Sequence, residues 1–253
     1  GTAGATSAVV TGDGTTYKGA VSGMANSGTV IATIPAGVAV DASNNANLAS
    51  SSADNTVTYD VAIPTVTINR AVGQANPTNT SPINFTVVFS EPVTGFTNAG
   101  VALSGTAGAT TAVVTGTGAT YNVAVSGMTN SGTVIATVAA GNAQDAAGNS
   151  NTNSTSTDNN VMYDATAPTV TIDQGAAQAD PTNVSPIIFD VVFSKPVTGF
   201  TNADVTLGGT AGATTVVVTG SGTTYTVSVS GMTVDGTVTA TIAAGVAVDT
   251  VGN

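Results

Sequence analysis

Gly105-Thr106-Ala107-Gly108-Ala109-Thr110 decides how this chain is read, because the same six residues stand at Gly1–Thr6 and at Gly209–Thr214, 104 residues apart each time. Pro64-Thr65-Val66-Thr67-Ile68 returns at Pro168–Ile172 with the same spacing. Tyr17, Tyr121 and Tyr225 keep that register, as do Met24, Met128 and Met232. A fixed period without insertions marks one structural unit repeated along the chain. A unit of 104 residues exceeds the roughly 20–50 residues of a solenoid turn. It has the length of one β-sandwich domain, about 100 residues. With Val61 as a unit start, residues 1–60 are the C-terminal part of a unit. Residues 61–164 are a complete unit, and residues 165–253 are a unit without its last strand. The expectation is a window on a longer array.

Within a unit, apolar and polar residues alternate with the period of a strand. Phe85, Val87 and Phe89 alternate with Thr86, Val88 and Ser90, and Tyr225, Val227 and Val229 alternate with Thr226, Ser228 and Ser230. Val66 and Ile68, Val238 to Ile242, and Val161 with Tyr163 read the same way. Stretches near Val101–Leu103 and Thr111–Thr115 bring the count to about seven strands per unit, the number an immunoglobulin-like sandwich needs. Gly116-Thr117-Gly118 reads as a hairpin loop, repeated at Gly12–Gly14 and Gly220–Gly222. Glu91-Pro92 and Lys195-Pro196 are expected to end the Phe-rich strand, because proline cannot donate to a ladder. The fold class is therefore all-β: tandem immunoglobulin-like sandwiches.

Composition narrows the function. Hydrophobic residues make up 42% of the 253 and charged residues only 7%, where about 25% is usual. Strong helix formers are scarce, so no long helix is expected. Fourteen acidic residues face three basic ones, for a net charge of −11. Nucleic acid, which is held by Lys and Arg on phosphates, is excluded as a partner. Neither His nor Cys occurs. Disulfides and thiolate metal sites are excluded, and the Ser and Thr hydroxyls lack an evident base. No enzymatic activity is expected. No apolar run nears the roughly 18 residues of a membrane helix.

Phe89-Ser90-Glu91-Pro92-Val93-Thr94-Gly95-Phe96, with Asp145-Ala146-Ala147-Gly148-Asn149, Tyr163-Asp164 and Pro168-Thr169-Val170, resembles bacterial immunoglobulin-like (Big) repeats. The resemblance runs through the whole chain in register. It implies a secreted, cell-surface stalk or filament of a large adhesin or biofilm protein. Some related repeats bind Ca²⁺ at domain junctions.

The loop Gly141–Asn160 is long for a sandwich connection. It carries Asp145, Asn149 and Asp158, and Asp164 follows before the next unit. Asp41, Asn45, Asp54 and Asp60 are the counterparts in the first unit, and Asp249 and Asn253 in the third. Hard cations need several oxygen ligands. Asp41, Asn45, Asp60, Asp145, Asn149, Asp158, Asp164 and Asp249 are thus candidate Ca²⁺ ligands, Ca²⁺ being the one cofactor expected. The competing reading is an Asx turn at Asp145 with Gly148 at positive φ and Asn45 in the place of Gly148 in the first unit. The two readings are compatible. Glu91 and Lys195 share one register position, and their opposite charges read as a solvated surface. Lys195 also raises a Lys–Asn isopeptide crosslink, but the middle unit has no lysine there. The links Asp60–Pro64 and Asp164–Pro168 are short and proline-stiffened. Neighbouring units should hold a preferred angle. The expected partners are adjacent repeats, with other copies in a fibre beyond them. A glycan- or surface-binding module is the alternative reading, and an accessory array of a secreted hydrolase a third.

Overall fold

The computed structural model describes all 253 residues, Gly1–Asn253. The first unit contributes β1 (Ser7–Asp13), β2 (Thr16–Ser22), β3 (Gly28–Ile31) and β4 (Thr56–Tyr59). The middle unit contributes β5 (Val66–Arg70), β6 (Ile83–Val93), β7 (Val101–Ser104), β8 (Thr111–Ser126), β9 (Gly132–Val138) and β10 (Asn160–Tyr163). The third contributes β11 (Val170–Gln174), β12 (Ile187–Val197), β13 (Val205–Gly208), β14 (Thr215–Ser230) and β15 (Thr239–Ile242). The only helical pieces are 3-10 turns at Asn98–Gly100 and Asn202–Asp204. No helix is long and apolar enough to cross a membrane.

Every named strand pair is antiparallel, and each sheet stays within one unit. In the middle unit β5-β6-β8 form one sheet and β10-β9-β7 the other. Alternation puts Val66, Ile68, Ile83, Phe85 and Val87 of one sheet against Val134, Ala136, Val138 and Val161 of the other in one buried cluster. Each such buried Val, Ile or Phe contributes about 1.5–3 kcal/mol relative to exposure. The third unit repeats this with β11-β12-β14 and β13-β15 around Val191, Phe193, Val227 and Val229. Its groove between residues 181–187 and 233–238 corresponds to the seat that β10 fills in the middle unit.

One strand expectation needs correction. The Phe-rich strand does not end at Glu91-Pro92. It continues to Val93, and its register against β8 slips between Val88 and Val93. Pro92 sits inside that irregularity, where no ladder donor is needed. The hairpin expected at Gly116–Gly118 is present, with the chain doubling back on itself within β8. Thr110 N donates to Ser126 O at 3.1 Å. A Cβ on Gly116 would lie 2.7 Å from Thr120 O and 2.9 Å from Tyr121 Cα, a closeness only glycine allows. Counting its two arms separately gives the middle unit seven strand segments.

Residues 1–60 have no counterparts of β5 and β6, and their apolar face is open. Tyr17 is 60% exposed, whereas Tyr121 and Tyr225 are 6% and 7% exposed. Val9, Val10, Ile31 and Val57 are exposed as well.

Candidate functional site

The units meet at short links, and each link is tied on both sides. At the first joint Ser27 Oγ, in the connection between β2 and β3, donates to Asp60 Oδ1 at 2.9 Å. Val61 N donates to Ser27 Oγ at 3.0 Å, and Ala62 N donates to Asp60 Oδ1 at 3.0 Å. From the middle unit, Asn149 Nδ2 donates to the Asp60 carbonyl at 3.2 Å. The second joint repeats the pattern. Ser131 Oγ donates to Asp164 Oδ1 (3.3 Å), Ala165 N to Ser131 Oγ (3.0 Å), Thr166 N to Asp164 Oδ1 (3.0 Å) and Asn253 Nδ2 to Asp164 O (2.9 Å). Asn79 Nδ2 adds a 3.3 Å bond across to Asn253 Oδ1.

The loop after β9 reaches the joint because Thr94 and Gln144 pair as a β-bridge at the end of β6 (N to O 2.7 and 2.9 Å). Thr198 and Val248 do the same in the third unit. The turn that follows is an Asx turn. Asp145 Oδ1 accepts from Ala147 N and Asn149 N, both at 2.9 Å, and Asp145 Oδ2 accepts from Asn149 Nδ2 at 2.8 Å. Asp41 with Asn45 and Asp249 with Asn253 repeat these bonds. Gly148 takes φ 91° and Gly252 φ 92°. In the first unit the residue at that place is Asn44 (φ 66°), not Asn45. Asn45 corresponds to Asn149 and supplies the side-chain amide, so the expected substitution was off by one residue.

Glu91 and Lys195 overturn the reading of their shared position as solvated surface. Glu91 keeps the pleat phase of Phe89 and Val93, both buried. It therefore turns toward the end of the sandwich and is only half-exposed. Below it Phe89, Phe96 and Tyr121 form a T-shaped aromatic cluster with ring centroids 5.1–5.8 Å apart. The Tyr121 hydroxyl donates to the Val93 carbonyl at 3.0 Å, which holds the irregular end of β6 in place. Phe193, Phe200, Tyr225 and Val197 repeat this under Lys195.

At the first joint Glu91 comes together with Asp60 and Asp145, one carboxylate oxygen of each lying within 4.8 Å of the others. Desolvation first, then repulsion by Asp145 and Asp60, pushes the Glu91 carboxyl above its ordinary value. Asp145 is held low, chiefly by the Asn149 side chain. At the second joint Lys195 Nζ lies 2.9 Å from Asp164 Oδ2, 3.0 Å from Asp249 Oδ2 and 2.6 Å from the Thr166 carbonyl. Its hydrogen bond to Asp164, against the opposing effect of burial and with help from Asp249, raises its pKa. Lys195 bonds two carboxylates and a carbonyl and no asparagine side chain, so it forms an ion pair here and not the Lys–Asn pairing of a crosslink. Burial pushes Asp249 up, but hydrogen bonds from Asn253, Lys195 and Val251 outweigh it and hold it well below the usual carboxylate range.

Of the residues singled out from sequence, Asp60, Asp145 and Asn149 meet at the first joint, and Asp164, Asp249 and Asn253 at the second. Asp158 is elsewhere: it pairs with Arg70 at 3.1 Å. Asp41 is exposed and bonded only within its own turn. Sequence reasoning missed Glu91, although its phase with Phe85, Val87 and Phe89 marked a charge on the inward side. It also missed Ser27 and Ser131, which the 104-residue register aligns.

The first joint's donors suit a hard divalent cation. All three are carboxylate oxygens, and Ca²⁺–oxygen distances of about 2.3–2.6 Å allow opposed ligands to stand almost 5 Å apart. Asp60, Glu91 and Asp145 would hold the ion, with water completing its shell.

Residues 60–162 match the family model of the bacterial Ig-like domain. No curated protein matches the chain.

Proposed function

Because residues 60–162 belong to the bacterial Ig-like domain family and the flanking units repeat their register, we propose that the chain is a non-catalytic structural spacer. In this reading it forms part of the stalk or filament of a large secreted adhesin or biofilm protein at the cell surface. The observation that carries the reading is the tie at each link. One serine and one aspartate of the unit being left, and an asparagine of the unit being entered, bond the same short segment (Ser27, Asp60 and Asn149; Ser131, Asp164 and Asn253). A link bonded on both sides resists bending, which is what a spacer projecting a distant domain requires. Adjacent repeats are its first partners. Ca²⁺ belongs to the same proposal: bound by Asp60, Glu91 and Asp145, it would cross-tie the link to the middle unit by offsetting three converging carboxylates.

Small-angle scattering of the whole chain in Ca²⁺ tests the spacer reading. The expected maximum dimension is that of units held end to end, and it should hold constant when the ionic strength is raised. A profile that requires an ensemble of widely differing inter-unit angles would overturn it.

A further inference from the structure

The 104-residue register sets Asp60 over Asp164, Asp145 over Asp249, Asn149 over Asn253 and Glu91 over Lys195. Around that last position the framework of tying bonds is kept while the charge is reversed. The backbone bridge that brings in the loop, the Asx turn, the serine tie and the aromatic cluster are the same in both places. A site that keeps its two aspartates while exchanging a glutamate for a lysine has kept its frame and gained a source of positive charge.

The contacts of Lys195 identify that source. An ammonium has three N–H donors. Those of Lys195 have three oxygens within 3.0 Å: Asp164 Oδ2 at the end of the middle unit, the Thr166 carbonyl in the link, and Asp249 Oδ2 in the Asx turn of the third unit. The donors come from both sides of the joint, as the ligands of a bridging ion do. At the first joint Asp60 and Asp145 face Glu91 instead, and no Lys or Arg pairs with any of the three. Three ionised carboxylates there sum to three negative charges. One divalent ion would reduce that to one, which is also the charge that Asp164, Asp249 and Lys195 leave at the second joint.

We infer that Lys195 is an internal cation, seated at the second joint where a bound Ca²⁺ sits at the first. One chain thus carries one joint that needs the ion and one that does not. The statement about the first joint rests on the proposed Ca²⁺ reading, while that about Lys195 rests on its own contacts. An array whose units carried glutamate or lysine at this position would have joints that stiffen with Ca²⁺ and joints that are stiff without it, set by a single residue each.

Hydrogen exchange of individual link amides in the full 253-residue chain, read by NMR with Ca²⁺ and with chelator, separates the two statements. Val61 and Ala62 report the first joint, Ala165 and Thr166 the second, and Val227 in the third unit's core reports that each variant is folded. In the unmodified chain, chelation should speed exchange at Val61 and Ala62 by about tenfold or more and leave Ala165 and Thr166 unchanged. Lys195→Gln should speed exchange at Ala165 and Thr166 in both conditions. Lys195→Glu should do so only in chelator, with Ca²⁺ restoring protection. Glu91→Lys should remove the effect of chelator at Val61 and Ala62. If Lys195→Glu exchanges equally fast with and without Ca²⁺ while Val227 stays protected, or if chelation loosens the second joint of the unmodified chain, the inference about Lys195 is overturned. If Lys195→Glu gains a Ca²⁺ response but Val61 and Ala62 never show one, Lys195 stands as the internal cation and the Ca²⁺ reading of the first joint fails.

Discussion

Tyr121→Phe removes one atom from the floor of the first joint. The Tyr121 hydroxyl donates to the Val93 carbonyl at 3.0 Å from a ring that is 6% exposed. The ring's edge-to-face packing on Phe89 and Phe96 would survive the change. The loss is therefore a single buried hydrogen bond, with a carbonyl left short of its partner. A net hydrogen bond contributes about 0.5–1.5 kcal/mol, and leaving a buried partner unsatisfied adds to the cost, so about 1–2 kcal/mol is expected. In a unit of this size each kcal/mol lowers the melting temperature by about 4–8 °C. Calorimetry of segment 61–164 beside Tyr121→Phe measures it directly, and Tyr225→Phe in the third unit is the parallel case, with its bond to Val197 O at 3.1 Å. Because Val93 ends the irregular run that carries Glu91, Tyr121→Phe should also weaken Ca²⁺ binding at the first joint. A melting temperature equal to that of the unmodified segment would refute the view that this bond holds the end of β6.

The two joints should respond differently to mild acid, above the range in which Asp145, also held low, loses its contribution at the first joint. Asp164 and Asp249 are held below their ordinary 3.8, so they stabilise the folded joint at pH above that value and lose this as pH falls toward the folded pKa. Glu91 is raised above its ordinary 4.5, so in chelator it weakens the first joint at neutral pH and releases that strain as pH falls through its folded pKa. At the alkaline end, Lys195 is raised above its ordinary 10.5, so the second joint should hold to that pH and fail as pH rises through the raised value; exchange at the two links, relative to its intrinsic rate, across pH 2–7 and the inter-unit distance across pH 9–12 check all three statements. Ser131→Ala removes the acceptor of Ala165 N and a donor to Asp164, and about 1–2 kcal/mol of joint stability should go with it while the sandwich cores keep their melting temperatures. An isolated 1–60 segment should show no cooperative unfolding in calorimetry, since its Tyr17 face is open where the corresponding faces of the later units are buried.

Much of the fold could be read from the chain, because Val and Thr alternate with a strand's period and the 104-residue repeat reads the pattern more than once. What escaped was the end of the pattern. Pro92 suggested a stop, but a slipped register accommodates it, and carrying the alternation through to Val93 is what turns Glu91 inward. Once the strand was taken to end early, Glu91 and Lys195 looked like interchangeable surface charges. The aspartates were easier, since a loop rich in Asp, Asn and Gly marks itself, yet the same composition drew in Asp158, whose partner Arg70 is 88 positions away in sequence. Ser27 and Ser131 were silent because serine is common throughout this chain, and only their bonds to the link amides distinguish them.

The central claim is that tied links hold the units at fixed angles, and a distance across the second joint tests it most directly. The chain has no cysteine, so spin labels can be placed uniquely at Thr117→Cys and Ser221→Cys on the exposed hairpin tips of the middle and third units. Pulsed electron resonance in chelator should give one narrow distance distribution, unchanged by Ca²⁺ and broadened by Lys195→Gln. A broad distribution in the unmodified chain, as wide as that of Lys195→Gln, would contradict the account.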